Sequence, residues 1–288
     1  MDVVLNFYDD WIEMLRGELR QRGHTPPHDS ANVAIRYFDL RRREISPQPR
    51  VVSRARSLTC PKRYHAGLEE IASKAAAGED LTSHLSAKIH DLDYNDALLN
   101  DWGLYHLHLG TAVKANGFVT RTKSVLFARV TEDKFRMVAI LDHGKGESPP
   151  WARKVLLETI LENWPEELQP IQGVVGLADH PAEPEHLKLR ERVTLLVQLS
   201  DGKVYFPLGG GASSAGSSTE AVRAHDHWAA RLRTLENFVR ENVEHLRSRL
   251  RDGQSFGIPP QFRLAFHPDG RPCAVEVTAK VAFILADG

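Results

Sequence analysis

Apolar side chains recur at four-residue steps through Phe7, Trp11, Leu15 and Leu19, with charges between them. That period predicts a helix over 6–22, ended by Gly23 and the Pro26-Pro27 pair. Residues 32–60 alternate more than they turn and read as short strands and loops. Two short helices are expected at 65–78 and 80–89, the first closed by Gly78 and the second capped by Asp80. From Tyr105 to Leu109 the pattern has period two: Tyr105, Leu107 and Leu109 face one way, His106 and His108 the other. Asn116-Gly117 marks a turn, and strands follow at 123–130 and 134–141 around Glu132-Asp133. A loop carrying Gly144, Gly146 and Pro149-Pro150 leads to a helix expected at 151–163, which Pro165 stops.

Further on, 192–199 and 203–207 predict a hairpin around Asp201-Gly202. The Gly209–Gly216 run reads as the most flexible part of the chain. A long helix is expected over 219–250, with Trp228, Leu232, Leu235, Val239, Leu246 and Leu250 as its buried stripe and Ser217 and Glu220 as a capping box. Strands at 261–266 and 274–284 close the chain. In the last, Val275, Val277, Ala279 and Val281 alternate with Glu276, Thr278 and Lys280.

These elements give an α+β class: a mainly antiparallel sheet flanked by helices, with a long helix in the C-terminal half. Three segments are expected. Residues 1–64 hold the first helix and a basic stretch. Residues 65–170 form an α+β core around the two histidines. Residues 171–288 hold the hairpin, the glycine-rich run, the long helix and the last strands, and could be continuous with the core.

With 42% hydrophobic residues, the 288-residue chain has enough apolar side chains for a sizeable core. Its net charge of −1 rules out a polycation, so any contact with nucleic acid must be a local patch. One such stretch runs from Arg36 to Arg63, with nine Lys or Arg against Asp39 and Glu44. Within it Arg41, Arg42 and Arg43 are candidate phosphate contacts. Cys60 and Cys273 have no metal-ligand spacing and fit a reducing compartment. No apolar run approaches a membrane span, and the acidic N-terminus is unlike a signal peptide; a cytoplasmic protein is expected.

The chemistry concentrates between Asp96 and His143. Histidines at i and i+2 of a strand project from the same face, so His106 and His108 can share one site. Asp96, Asn100 and Asp101 lie just upstream, where an acid could fix a histidine tautomer. Antiparallel neighbours would bring in Arg121, Lys123, Asp142 and His143. Two reactions use such a set. In metal-independent RNA cleavage, His106 and His108 serve as acid and base, Arg121 binds the phosphate, His143 assists, and Lys123 with Arg41–Arg43 holds the substrate. In a metal-dependent hydrolase, His106, His108, Asp142 and His143 hold a divalent ion that activates water. A third reading, a binding module that uses the basic stretch and performs no chemistry, also remains open. The glycine-rich run is neither a P-loop nor a dinucleotide fingerprint.

The block Asn100-Asp101-Trp102-Gly103-Leu104-Tyr105-His106-Leu107-His108-Leu109-Gly110 resembles a segment found in many uncharacterised bacterial proteins. From Tyr105 to Trp164 the order of a strand ending in Leu-Gly, Arg-Thr before a strand, then a strand, a loop and a helix is similar to that of the antiparallel-sheet endoribonuclease toxins of toxin–antitoxin and abortive-infection systems. That resemblance implies an RNA substrate, a sheet face carrying His, Arg, Lys or Thr around a scissile phosphate, and a neutralising antitoxin or other partner protein.

Overall fold

The computed structural model describes residues 2–143, 153–179, 181–190 and 193–285. It is an α+β protein that divides into two compact units. One joins residues 1–38 to 223–288; the other is continuous from 39 to 222. The division differs from the expected boundaries at 64 and 170, because the first helix packs with the C-terminal third of the chain.

In the discontinuous unit, α1 (Phe7–Gln21) buries Phe7, Trp11, Ile12, Leu15 and Leu19. Asn6 caps it by accepting the Asp9 N–H at 3.0 Å. The stripe of α7 (Thr219–Glu241) meets it: Trp228 stacks on Trp11 with centroids 6.0 Å apart, and Leu232, Leu235 and Val239 are buried. The expected 219–250 helix breaks at Asn242 and resumes as α8 (Val243–Ser248). The expected strand 274–284 is two strands. β8 (Pro272–Glu276) pairs antiparallel with both β7 (Phe262–Phe266) and β9 (Val281–Ile284). Both keep period two, so the alternation conceals the turn at 277–280.

The continuous unit is built on a four-stranded sheet in the order β1 (Val51–Arg54), β4 (Lys134–Asp142), β3 (Ser124–Val130), β2 (Leu104–His108). β2–β3 and β3–β4 are antiparallel, as the pattern required; β1 joins β4 in parallel. One face carries Leu107, Leu126, Ala128, Phe135 and Met137. It packs on Leu68, Ile71 and Ala75 of α3 (His65–Ala77) and on Leu81, Leu85 and Ile89. Leu81 and Leu85 flank a 3-10 turn, Thr82–His84, and Ile89 lies in a second, Ala87–His90, where a helix over 80–89 was expected.

The other face carries Leu104, Val125, Phe127 and Val138. It packs on α4 (Ala97–Trp102), α5 (Val155–Asn163), α6 (Glu183–Leu189) through Leu187, and the short hairpin β5 (Val197–Gln198)–β6 (Val204–Tyr205). The expected loop at 144–150, the start of the 151–163 helix and residue 192 of the hairpin lie outside the described residues. Both sheet faces are therefore covered, and the histidine face of β2 continues a core instead of facing solvent.

Two expectations for the basic and glycine-rich stretches change. Ser30–Arg43 is a helix, α2, not strand and loop; Val33, Ala34 and Leu40 are its buried apolar positions. The glycine run is bound in place: Gly209 N–H donates to Asp101 O at 2.9 Å and Gly211 N–H to Asn100 O at 2.8 Å. These bonds satisfy carbonyls at the end of α4 that have no partner within the helix. Ser218, not Ser217, caps α7, accepting the Ala221 N–H at 3.4 Å.

Candidate functional site

Sheet register assembles the histidines. His108 on β2 stands opposite Val125, and Val125 stands opposite Leu141 on β4. Alternation then puts His106, His108, Leu141 and His143 on one face. A main-chain bond from His143 N–H to Lys123 O (2.6 Å) extends the pairing past the end of β4. The His106 and His108 ring centroids are 6.3 Å apart. His143 lies 6.0 Å from His106 and stacks on His108 at 5.8 Å, with ring planes 12° apart. All three line one cavity of about 450 Å³ that Arg121 also lines.

The His108 ring is oriented at one of its two nitrogens. The Thr122 N–H donates to its Nδ1 at 3.3 Å. Nδ1 is thus the unprotonated nitrogen of the neutral ring, and Nε2 carries the hydrogen. Nε2 is buried without a protein partner. Thr122 is itself fixed, donating its hydroxyl to Ser124 O (2.6 Å) and accepting from Leu109 N–H (3.1 Å).

All three imidazoles are neutral at physiological pH. Burial, then the neighbouring His143 and Arg121, pushes His106 down to about 4. Burial, followed by His106 and Arg121, pushes His108 down to about 3. His143, the least enclosed, is lowered chiefly by burial. The cause common to all is loss of water around a ring that sits near a guanidinium.

The remaining wall comes from loops. Lys88, Arg190 and the hairpin residues Lys114, Asn116 and Phe118 line the same cavity, with Tyr94 and Asp96 on another side. Four cationic side chains, Lys88, Lys114, Arg121 and Arg190, thus line it against one carboxylate, an excess of positive charge that favours an anion over a cation. Of these, only Asp96 was among the expected candidates, as an acid near the histidines. The one available sign was the Asn116-Gly117 turn, which folds Lys114 and Phe118 back towards Arg121.

Several expected members lie elsewhere. Asp142 bonds to Lys123 Nζ (2.8 Å) and Ser124 Oγ (2.6 Å); these two partners hold its carboxyl below its usual range. Lys123 is spent in that exposed pair. The expected metal set of His106, His108, Asp142 and His143 therefore does not assemble, and among the described residues no three His, Cys, Asp or Glu side chains are placed to hold a metal ion.

Asp101 pairs with His186 Nε2 at 2.8 Å, not with either β2 histidine. Arg42 donates to Asn100 Oδ1 (2.7 Å), Gly209 O (3.1 Å), Leu99 O (3.4 Å) and the Ser218 hydroxyl. Arg43, 1% exposed, donates to Asp39 O, Lys88 O and Asp91 O. Neither presents its guanidinium to a phosphate backbone. Arg41 forms an i,i+3 pair with Glu44 at 2.7 Å.

Among the described residues no helix is long and apolar enough to cross a membrane. No family model, characterised protein or solved structure matches the chain.

Proposed function

We propose that this cavity is a metal-independent phosphodiester-cleaving site for RNA, in a cytoplasmic protein of toxin or phage-defence type. One observation carries the reading: three imidazoles within 5.8–6.3 Å of one another share a cation-rich cavity with Arg121. The defence setting, and with it a neutralising partner protein, rests on the sequence resemblance alone.

The expected pairing of roles shifts. His108, fixed as an Nε2–H donor, suits a hydrogen bond to a non-bridging phosphoryl oxygen better than proton abstraction. His106 takes the proton from the ribose 2′-hydroxyl. The 2′-oxygen bonds to phosphorus, the bond from phosphorus to the 5′-oxygen breaks, and His143 gives that oxygen a proton. The products are a 2′,3′-cyclic phosphate and a 5′-hydroxyl. Arg121 offsets the charge growing on phosphorus-bound oxygen. The acid must be cationic, and a bound phosphate supplies the condition: its negative charge opposes the effects of Arg121 and burial and raises the imidazole pKa values.

The test is cleavage of single-stranded RNA by the wild type and by His106→Ala, His143→Ala and Arg121→Ala, with and without EDTA, followed by analysis of the new ends. Cyclic phosphate ends that survive EDTA are expected, with each histidine variant slower by about 10²–10⁴-fold. Absence of cleavage overturns the proposal. Activity lost in EDTA and restored by Mn²⁺ or Zn²⁺ moves the site to metal-assisted hydrolysis.

A further inference from the structure

The loop between β2 and β3 is ordered by its own bonds. Val113 bridges Val119, Lys114 N–H donates to Phe118 O (2.9 Å) and Thr120 N–H to Ala112 O (2.9 Å). Gly117, at φ 82°, closes the turn, and Asn116 Oδ1 accepts the Phe118 N–H at 3.3 Å. One further bond, from Val119 N–H to Ser83 O (2.8 Å), ties this arm to the first 3-10 turn. It is a hairpin held by its own main chain, and it carries five cavity-lining residues: Lys114, Asn116, Phe118, Val119 and Arg121.

Phe118 is half-buried, and its plane is set by His90, whose ring meets it at 63° with centroids 5.6 Å apart. Tyr94, the other aromatic in the cavity wall, is occupied by two cations: Lys88 Nζ and Arg43 Cζ lie 5.0 and 5.7 Å from its centroid. Phe118 thus differs from Tyr94 in having no cation over it among the described contacts. An immobilised aromatic beside cations is how single-stranded nucleic acid is gripped: the base stacks and the flanking phosphate is neutralised. A small anion such as inorganic phosphate would gain nothing from a benzyl ring.

We propose that the 110–122 hairpin is a nucleobase-binding arm: Phe118 stacks an unpaired base and Lys114 meets its flanking phosphate, which selects single-stranded over duplex RNA. This rests on the reading of the cavity as an RNA site, and it places the scissile phosphate beside the stacked nucleotide. A base inside a duplex is already stacked on both faces and cannot reach the ring without being splayed out.

The experiment measures binding of a short single-stranded RNA, the matching duplex and inorganic phosphate to the wild type, Phe118→Ala, Phe118→Trp and Lys114→Ala. Chemical denaturation checks that each variant is folded. Phe118→Ala should weaken single-strand binding by about 5- to 100-fold, with phosphate binding unchanged, and Phe118→Trp should restore it with quenching of the new indole on RNA addition. Lys114→Ala should weaken RNA binding and reduce its salt dependence. Equal single-strand affinity for Phe118→Ala and wild type overturns the arm, as does duplex bound as tightly as single strand. RNA bound in the expected way but never cut would instead overturn the cleavage chemistry and leave the arm standing.

Discussion

His84, fully buried, donates its Nδ1–H to the main-chain carbonyl of His108 at 2.9 Å. Its other nitrogen lies 3.5 Å from Glu70 Oε1 on α3. His108 is therefore held by its carbonyl from one side and by its Nδ1, through Thr122, from the other. His84 touches no part of the proposed substrate path; it is a positioning residue. Replacing it with Phe keeps most of the volume but deletes the donor. His84→Phe should lose about 1–3 kcal/mol of stability, the cost of an unsatisfied buried group. His84→Phe should also lower the RNA-cleaving rate, and His84→Asn, which keeps a donor near the Nδ1 position, should recover most of that loss as well as some stability. Equal rates for Phe and Asn variants would reduce His84 to core filling.

The arginines of α2 separate structural from electrostatic roles. Arg42 donates to two main-chain carbonyls and two side chains of other segments. Arg42→Ala should cost about 1.5–3 kcal/mol, because hydrogen bonds from a charged group are involved. Arg41→Ala, removing only a surface pair with Glu44, should change stability by less than about 0.5 kcal/mol. Neither should alter the salt dependence of RNA binding, whereas Arg121→Ala should flatten it. Denaturant melts and binding titrations at several salt concentrations measure both. A flattened salt slope for Arg41→Ala would return that residue to the phosphate-binding surface.

The legible part of this structure is the part built on local periodicity. The histidines of β2, the 131–133 turn and the position of His143 all follow from period-two alternation across two hairpin-linked strands. What escaped depends on distant main-chain atoms. The partners of Arg42 include Leu99 O and Gly209 O, 57 and 167 residues away, so a run of three arginines reads as a phosphate-binding surface when it is partly a fastening. The cap of α4 shows the same limit: its carbonyls are closed by Gly209 and Gly211, which composition alone marks as flexible. The cavity's cationic wall was hidden because Lys88, Lys114 and Arg190 come from three separate segments with no common spacing.

Gly209 gives that closure a direct test. A Cβ added there would overlap the main-chain oxygens of Leu99 and Asn100, neither of which is a flexible side-chain end. Gly202 has a similar loop setting and a φ of 78°, but nothing lies within 4 Å of an added Cβ. Gly209→Ala should destabilise by about 1–3 kcal/mol or more through overpacking. Gly202→Ala should show only backbone strain, on the order of 1 kcal/mol. Urea melts of the two variants should rank in that order; the reverse order would mean that the 209–211 segment yields freely.

The buried histidines make stability depend on pH with a definite sign. In the unfolded chain imidazole titrates near 6.5; in the folded chain His106 and His108 titrate at about 4 and about 3. Between those limits the unfolded state binds more protons, so stability rises with pH. The contribution is complete above about 6.5 and is lost as pH falls through 6.5 towards 4 and 3. Between pH 6.5 and 5 most carboxylates stay charged, so the histidines dominate the slope there. Thermal melts across that interval should show the wild type losing melting temperature steadily. His106→Gln/His108→Gln, which cannot take up these protons, should show a flatter profile even if its melting temperature at pH 7.5 is lower. A saturating single-stranded RNA should flatten the wild-type profile too, because the bound phosphate favours the protonated rings and narrows the gap between folded and unfolded pKa values. Parallel profiles for wild type and double variant would show that these two rings do not bear the cost of burial assigned to them.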